Sequence, residues 1–204
     1  SQPHRYMDKF SYAIGLGIGQ NLLSMGAKGI AVDDFAQAIK DILEGNKTAI
    51  SHAEARDIVN KYFAELEEKM NAACIEQGVQ FLEENKKRPN VVTLPSGLQY
   101  EVINEGKVGT YAKATDQVKC HYEGTLIDGT LFDSSIKRGQ PAVFGVNQVI
   151  PGWVEALQLM PEGAKWKLYI PSDLAYGAQG AGEMIPPHST LIFEVELLEI
   201  LSQK

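Results

Sequence analysis

The spacing of apolar positions changes character near Pro89. Before it they recur every three or four residues, as on a helix with one buried face. After it they alternate, as on a strand. In the first part, Phe10, Ala13, Ile14, Gly17, Ile18, Leu22 and Met25 predict a helix over about Asp8 to Met25. A second is predicted over Asp33 to Glu44, with Asp33 as N-cap, an apolar face of Phe35, Ile39, Ile42 and Leu43, and Gly45 at its exit. The third is long. Ser51 and Glu54 match the S-x-x-E capping box, and no proline follows until Pro89. A continuous helix from Ser51 to Arg88 would span roughly 57 Å at ~1.5 Å per residue. Two shorter helices broken at Gly78 are the alternative. Its start is amphipathic through Ile58, Val59, Tyr62, Phe63 and Leu66. Its later part is polar on most sides, as in helices that bridge domains through solvent.

Gly15, Gly17 and Gly19 fall inside the first helix. Each costs roughly 1 kcal/mol against alanine there, so close backbone packing on another helix is a physical reason for them. The spacing is GxGxG rather than GxGxxG, and no strand precedes it, which argues against a phosphate loop. The helical region ahead of the arm is short and has a thin core. A second copy of the chain would supply the missing burial. A homodimer through residues 1–60 is therefore predicted. Packing of these helices on their own C-terminal half is the alternative, which the polar arm disfavours.

Residues 86–96 (KKRPNVVTLPS) read as a charged, proline-marked exit and linker. The predicted organisation is a helical segment over 1–50, a long helix over 51–88, a linker over 89–96 and a strand-rich domain over 97–204. In that domain Leu98, Tyr100 and Val102 share a face, as do Val118, Cys120 and Tyr122, then Trp166, Leu168 and Ile170, then Leu191, Phe193, Val195 and Leu197. Asp128-Gly129 is a turn signal. Pro151 to Met160 is one short helical stretch, opened by proline. The fold class is α+β: an antiparallel sheet packed on a short helix, preceded by helices.

Charge narrows the partners. The 204 residues carry a net charge of −7, with 11 basic against 13 acidic residues up to residue 90 and 8 against 13 beyond it. Neither half has the concentrated positive charge that a phosphate backbone demands, so no nucleic-acid partner is expected. Cys74 and Cys120 form neither a disulfide framework nor a CxxC, and His4, His52, His121 and His188 are scattered without ligand spacing. No metal and no cofactor is expected. No apolar run reaches the ~18 residues of a membrane span, so no membrane partner is expected. Low cysteine usage fits a cytoplasmic expectation, with the periplasm open if a leader was removed.

The candidate chemistry is aromatic. Tyr122 lies in CHYEG, Phe132 and Asp133 in GTLFDSS, and Phe144 in VFG. Val149, Ile150 and Trp153 lie in VIPGW, Tyr176 in LAYG, and Ile185 in IPPHSTLIF, which ends in Phe193. Singly, each is compatible with an ordinary core residue or a stiff loop. In this order and at this spacing, over about Gly97 to Leu201, they closely resemble the FKBP family of peptidyl-prolyl cis-trans isomerases. The resemblance implies a half-wrapped sheet whose cleft takes a proline ring. Trp153 would be its floor, and Tyr122, Phe132, Phe144, Val149, Ile150, Ile185 and Phe193 would surround the ring. Tyr176 and the Ile150 N–H would bond substrate carbonyls, and Asp133 would sit at the rim with Tyr122 and Arg138. Asp133, Tyr122, Tyr176 and Phe132 are the implied catalytic residues. Ala142, Gln148, Ala181, Gly182 and Met184 depart from the family's common pattern. The family pocket also takes the macrolides tacrolimus and rapamycin. The helical half and long arm resemble the bacterial two-domain group that contains macrophage infectivity potentiator. That implies a dimer joined at its N-terminal domains, acting on proline-containing unfolded or folding chains with chaperone-like binding.

Overall fold

The computed structural model describes residues 6–203, with the side chain of Gln203 left out. Residues 1–5, part of the predicted dimer segment and including His4, and residue 204 lie outside the described residues. The chain forms two compact units that divide between Glu68 and Lys69. The predicted junctions, at 50/51 and 88/89, lie on either side of that point.

The first unit holds α1 (Lys9–Ser24), α2 (Val32–Glu44) and the first half of α3 (His52–Asn85). Asp8 caps α1 by accepting from the Ser11 N–H. The cap of α2 differs from expectation. Val32 already begins the helix after Ala31, so Asp33 sits with Asp34 in the first turn, where carboxylates favour the helix dipole. Gly45 ends the helix in the left-handed conformation, as expected. The Ser51 hydroxyl accepts from the Glu54 N–H at 3.0 Å, which starts α3. Within this unit Ala27 is the one buried residue described. Apolar side chains face outward, from Phe10, Leu16 and Leu23 on α1 to Ile42 and Leu43, the last 79% exposed.

Helix α3 is continuous through Gly78 and runs 34 residues, about 51 Å. It stops at Asn85, three residues short of the predicted end. Arg88 precedes Pro89, whose ring disfavours helical backbone in the residue before it. Its second half is not a free polar arm. Gly78 and Asn85 are buried, and the Phe81 ring packs on Tyr169 with centroids 6.0 Å apart. Asn85 Nδ2 donates to Gln99 Oε1 at 2.8 Å, and Gln99 Nε2 donates to the Leu82 carbonyl at 2.9 Å. Each buried amide thus finds a partner, Asn85 on Gln99 and Gln99 on the Leu82 carbonyl, as groups taken from water must. Arg88 donates to Asn85, Tyr169 and Glu101. The Tyr169 hydroxyl, then Arg88, hold the Glu101 carboxyl below its usual range.

The second unit continues with β1 (Val92–Thr93), β2 (Gln99–Asn104), β3 (Lys107–Tyr111), β4 (Gln117–Leu126), β5 (Leu131–Ser134), α4 (Ser135–Arg138), β6 (Ala142–Gly145), α5 (Pro151–Leu159), β7 (Pro161–Glu162), β8 (Lys165–Ile170) and β9 (Leu191–Ile200). The main sheet runs β1-β2-β8-β9-β4-β5, every pair antiparallel, and β6 also pairs with β4. The Asp128-Gly129 turn joins β4 to β5 as predicted. Alternation along β4 and β9 sends Val118, Cys120, Tyr122, Leu191, Phe193, Val195 and Leu197 inward, against Trp153, Ala156 and Leu157 of α5. Fully burying each large aliphatic contributes roughly 1.5–3 kcal/mol. Leu98 is buried just ahead of β2, whereas Val102 is exposed near the strand's end. Burial pushes the Cys120 thiol up to about 12. No helix among the described residues is long and apolar enough to cross a membrane.

Candidate functional site

A cavity of about 760 Å³ opens where the sheet leaves α5. Its floor is Trp153, placed inward because Pro151 starts α5 two residues earlier, and only 4% exposed. Three rings meet the indole nearly at right angles: Tyr122 at 5.2 Å, Phe144 at 5.4 Å and Phe193 at 5.2 Å. Edge-to-face contact sets the positive edge of one ring on the negative face of another, so the rings hold each other's orientation. Tyr122, Phe144 and Phe193 come from β4, β6 and β9, at positions the strand alternation turns inward. Phe132 of β5 closes the wall by an edge contact on Phe193 at 5.4 Å. Val149, Ile150, Tyr176 and Ile185 complete the lining predicted from sequence.

Gly124 makes this wall possible. It lies opposite Phe193 across β4–β9, and a Cβ there would stand 2.6 Å from atoms of both the Phe132 and Phe193 rings. The glycine of the CHYEG motif is the signal that could have found it.

The polar rim is Asp133, Tyr122 and Arg138. The Tyr122 hydroxyl donates to Asp133 Oδ2 at 2.6 Å and accepts from Arg138 Nη2 at 2.9 Å. Arg138 Nη1 donates to Asp133 Oδ1, and its guanidinium carbon lies 5.7 Å from the Tyr122 ring centroid. Arg138 therefore acts behind Asp133 and Tyr122 and is not itself part of the cavity lining. Burial works against the Asp133 charge, but the bonds from Tyr122 and Arg138 outweigh it and hold the carboxyl below its ordinary range. Burial, then the bond to Asp133, pushes the Tyr122 phenol upward.

Two side-chain donors on lining residues have no protein partner among the described residues. They are the buried Trp153 Nε1 and the Tyr176 hydroxyl, the latter on a residue 41% exposed. Glu183, which belongs to none of the aromatic motifs, also lines the cavity. Gln148, Ala181, Gly182 and Met184, read as departures from the family pattern, also line the cavity. Ala142 lies outside the lining, on β6 opposite Cys120. Among the described residues no group of three histidine, cysteine or carboxylate side chains is arranged to hold a metal ion.

The chain matches two family models. One, described as FKBP-type peptidyl-prolyl cis-trans isomerase, covers residues 109–198. The other, the domain amino-terminal to that isomerase, covers residues 7–102. A 22 kDa FKBP-type peptidyl-prolyl cis-trans isomerase of Escherichia coli is 50% identical over 94% of this chain and 94% of its own length. An outer membrane protein MIP of Legionella longbeachae is 42% identical over 95% of this chain and 85% of its own. The crystal structure of FkpA from Escherichia coli covers 97% of this chain and 98% of its own, with a TM-score of 0.78 and 35% identity. A helical N-terminal region followed by an antiparallel-sheet domain agrees with the two family models and with the FkpA structure. The chain belongs to the two-domain FKBP-type peptidyl-prolyl cis-trans isomerases.

Proposed function

We propose that the chain accelerates proline-limited folding of polypeptides by binding the proline ring on Trp153, inside the walls of Tyr122, Phe132, Phe144 and Phe193. The observation that carries this reading is the Trp153 indole packed edge-to-face by three rings at the floor of an open cavity. Rotation about an X–Pro bond faces about 18–20 kcal/mol because the twisted amide loses resonance. The twisted amide is less dipolar than the planar one. A dry aromatic lining tolerates it better than the ground state, which is preferential binding of the transition state. Val149, Ile150 and Ile185 add shape, and the Ile150 N–H and Tyr176 hydroxyl donate to carbonyls flanking the proline. Asp133 contributes its fixed charge beside the twisting amide, with Tyr122 and Arg138 as its partners.

Asp133 does not serve as a general base in this reading. With its carboxyl held low and the Tyr122 phenol held high, neither changes charge near neutrality. Catalytic efficiency is therefore expected to be flat from about pH 5 to pH 9, the window between ordinary carboxylate and phenol ionisation. A proline tetrapeptide assay on the intact chain checks this, with rapamycin expected to abolish the activity. No acceleration over the uncatalysed rate sinks the reading; a bell-shaped profile sinks the charge assignment.

The finer partners follow the same reading. The chain works as a homodimer through residues 1–60, because the first unit leaves Phe10, Leu16, Ile42 and Leu43 uncovered. Two pockets joined in this way raise the effective concentration of one client chain, which gives chaperone-like binding. Sedimentation at micromolar concentration is expected to give twice the chain mass; a monomer ends the dimer reading. Tacrolimus and rapamycin are the expected inhibitors. For compartment, the relative named an outer membrane protein favours the periplasmic alternative, and the compared proteins' names give the cytoplasmic expectation no support.

A further inference from the structure

The second half of α3 lies against the segment that carries one wall of the cavity. At buried Gly78 the helix backbone meets Thr190. A Cβ at position 78 would stand 2.5 Å from Thr190 Oγ1 and 3.6 Å from Thr190 Cβ. Thr190 is 5% exposed and β-branched, so its side chain has little room to turn away. The contact explains a glycine in a helix interior, where alanine is the better helix former. At Gly15, Gly17 and Gly19 of α1, by contrast, an added Cβ would meet nothing within 4 Å among the described residues.

Thr190 is the joint between the loop 180–189 and β9. Ala181 and Ile185 exchange both backbone hydrogen bonds, at 2.9 and 3.1 Å. The His188 N–H donates to the Gly177 carbonyl at 2.8 Å, and Ser189 Oγ donates to the Pro186 carbonyl at 2.6 Å. The loop is thus tied into one body, with Ile185 on one side of the joint and Phe193 on the other, both lining the cavity.

We infer that Gly78 is a positioning residue for the pocket: it seats α3 directly on Thr190 and so sets where the loop 180–189 holds Ile185 over the proline-binding rings. The inference rests on the reading of this cavity as the isomerase site. A methyl group at position 78 moves the loop by a sizeable fraction of an ångström, which alters how the pocket fits different residues before proline.

The test is a panel of tetrapeptides with Ala, Leu, Phe or Lys before proline, assayed on the intact chain. For Gly78→Ala, kcat/KM is expected to fall by about 10-fold on average, since misplacement of about 1 Å can cost 10²-fold. The Phe-Pro to Ala-Pro ratio is expected to change by about threefold or more, as a reshaped wall requires and a reduced folded fraction does not. Thr190→Ala removes the clashing hydroxyl. In the double variant both readouts are expected to return to those of Thr190→Ala alone, which a double-mutant cycle measures. If Gly78→Ala does not fold, Thr190→Ile crowds the same contact from the loop side and is read by the same ratio. An unchanged ratio in the variant that is read overturns the inference, as does an equal loss with and without Thr190→Ala. A rise in thermal stability with wild-type kinetics also overturns it, because Gly78 would then be only a weak point of the helix. Absence of activity in the wild-type chain would instead overturn the reading of the pocket itself.

Discussion

Gly124→Ala, the addition of one methyl group, is expected to lower kcat/KM for proline peptides by about 100-fold while the chain still folds. In most strand interiors this substitution is neutral or favourable, because glycine weakens a strand. Here the new Cβ would stand 2.6 Å from atoms of both the Phe132 and Phe193 rings. Phe193 cannot yield alone, since it also bears on Trp153 and Tyr122, and the Phe132 ring in turn packs on Phe193. The walls must spread or turn, and misplacement of about 1 Å is enough to cost 10²-fold when orientation carries the catalysis. The stability cost of such overpacking is about 1–3 kcal/mol, so the variant should remain folded. Near-ultraviolet circular dichroism should report altered ring packing, and the peptide assay should report the loss. Activity within threefold of wild type would show that the pocket does not depend on these walls.

The second large effect concerns where the isomerase unit begins. A chain starting at residue 69 is expected to be more stable to urea by about 3 kcal/mol than one starting at residue 91. The shorter chain lacks Phe81, Asn85 and Arg88. It leaves Tyr169 without its ring partner and Arg88 contact, and Gln99 without both of its bonds to α3. Separated urea midpoints, with the steeper slope for the longer chain because it exposes more surface on unfolding, would measure this difference. Coincident midpoints would mean that α3 adds nothing to the unit it packs on. Any cut near residue 90 also removes Gly78.

Much of this was legible in the chain. Period-two alternation over Val118–Tyr122 and Leu191–Leu197 identified the central strands and their inward faces. The ordered aromatic motifs named ten of the cavity's lining residues. Glu183 escaped because a charged residue in a glycine-flanked loop carries no period. The N-cap of α2 was misplaced because an aspartate in the first turn and one at the cap are both favoured by the same dipole. The role of α3 was misread for a different reason. Its second half docks through Gly78, the Phe81 ring, the Leu82 carbonyl and Asn85, a set with few apolar side chains. A helix that docks by absence of a side chain and by a paired amide reads as polar all round.

Strand β4 pairs with β9, β5 and β6 at once. Tyr122 stands on it, and the strands it pairs with carry Phe132, Asp133, Phe144 and Phe193. Central ladders of this kind open only when the whole domain opens, whereas loops open locally. The aromatic walls of the pocket therefore have no local melting of their own. Slow amide exchange along the β4–β9 ladder and retention of activity are two readouts of the same cooperative event.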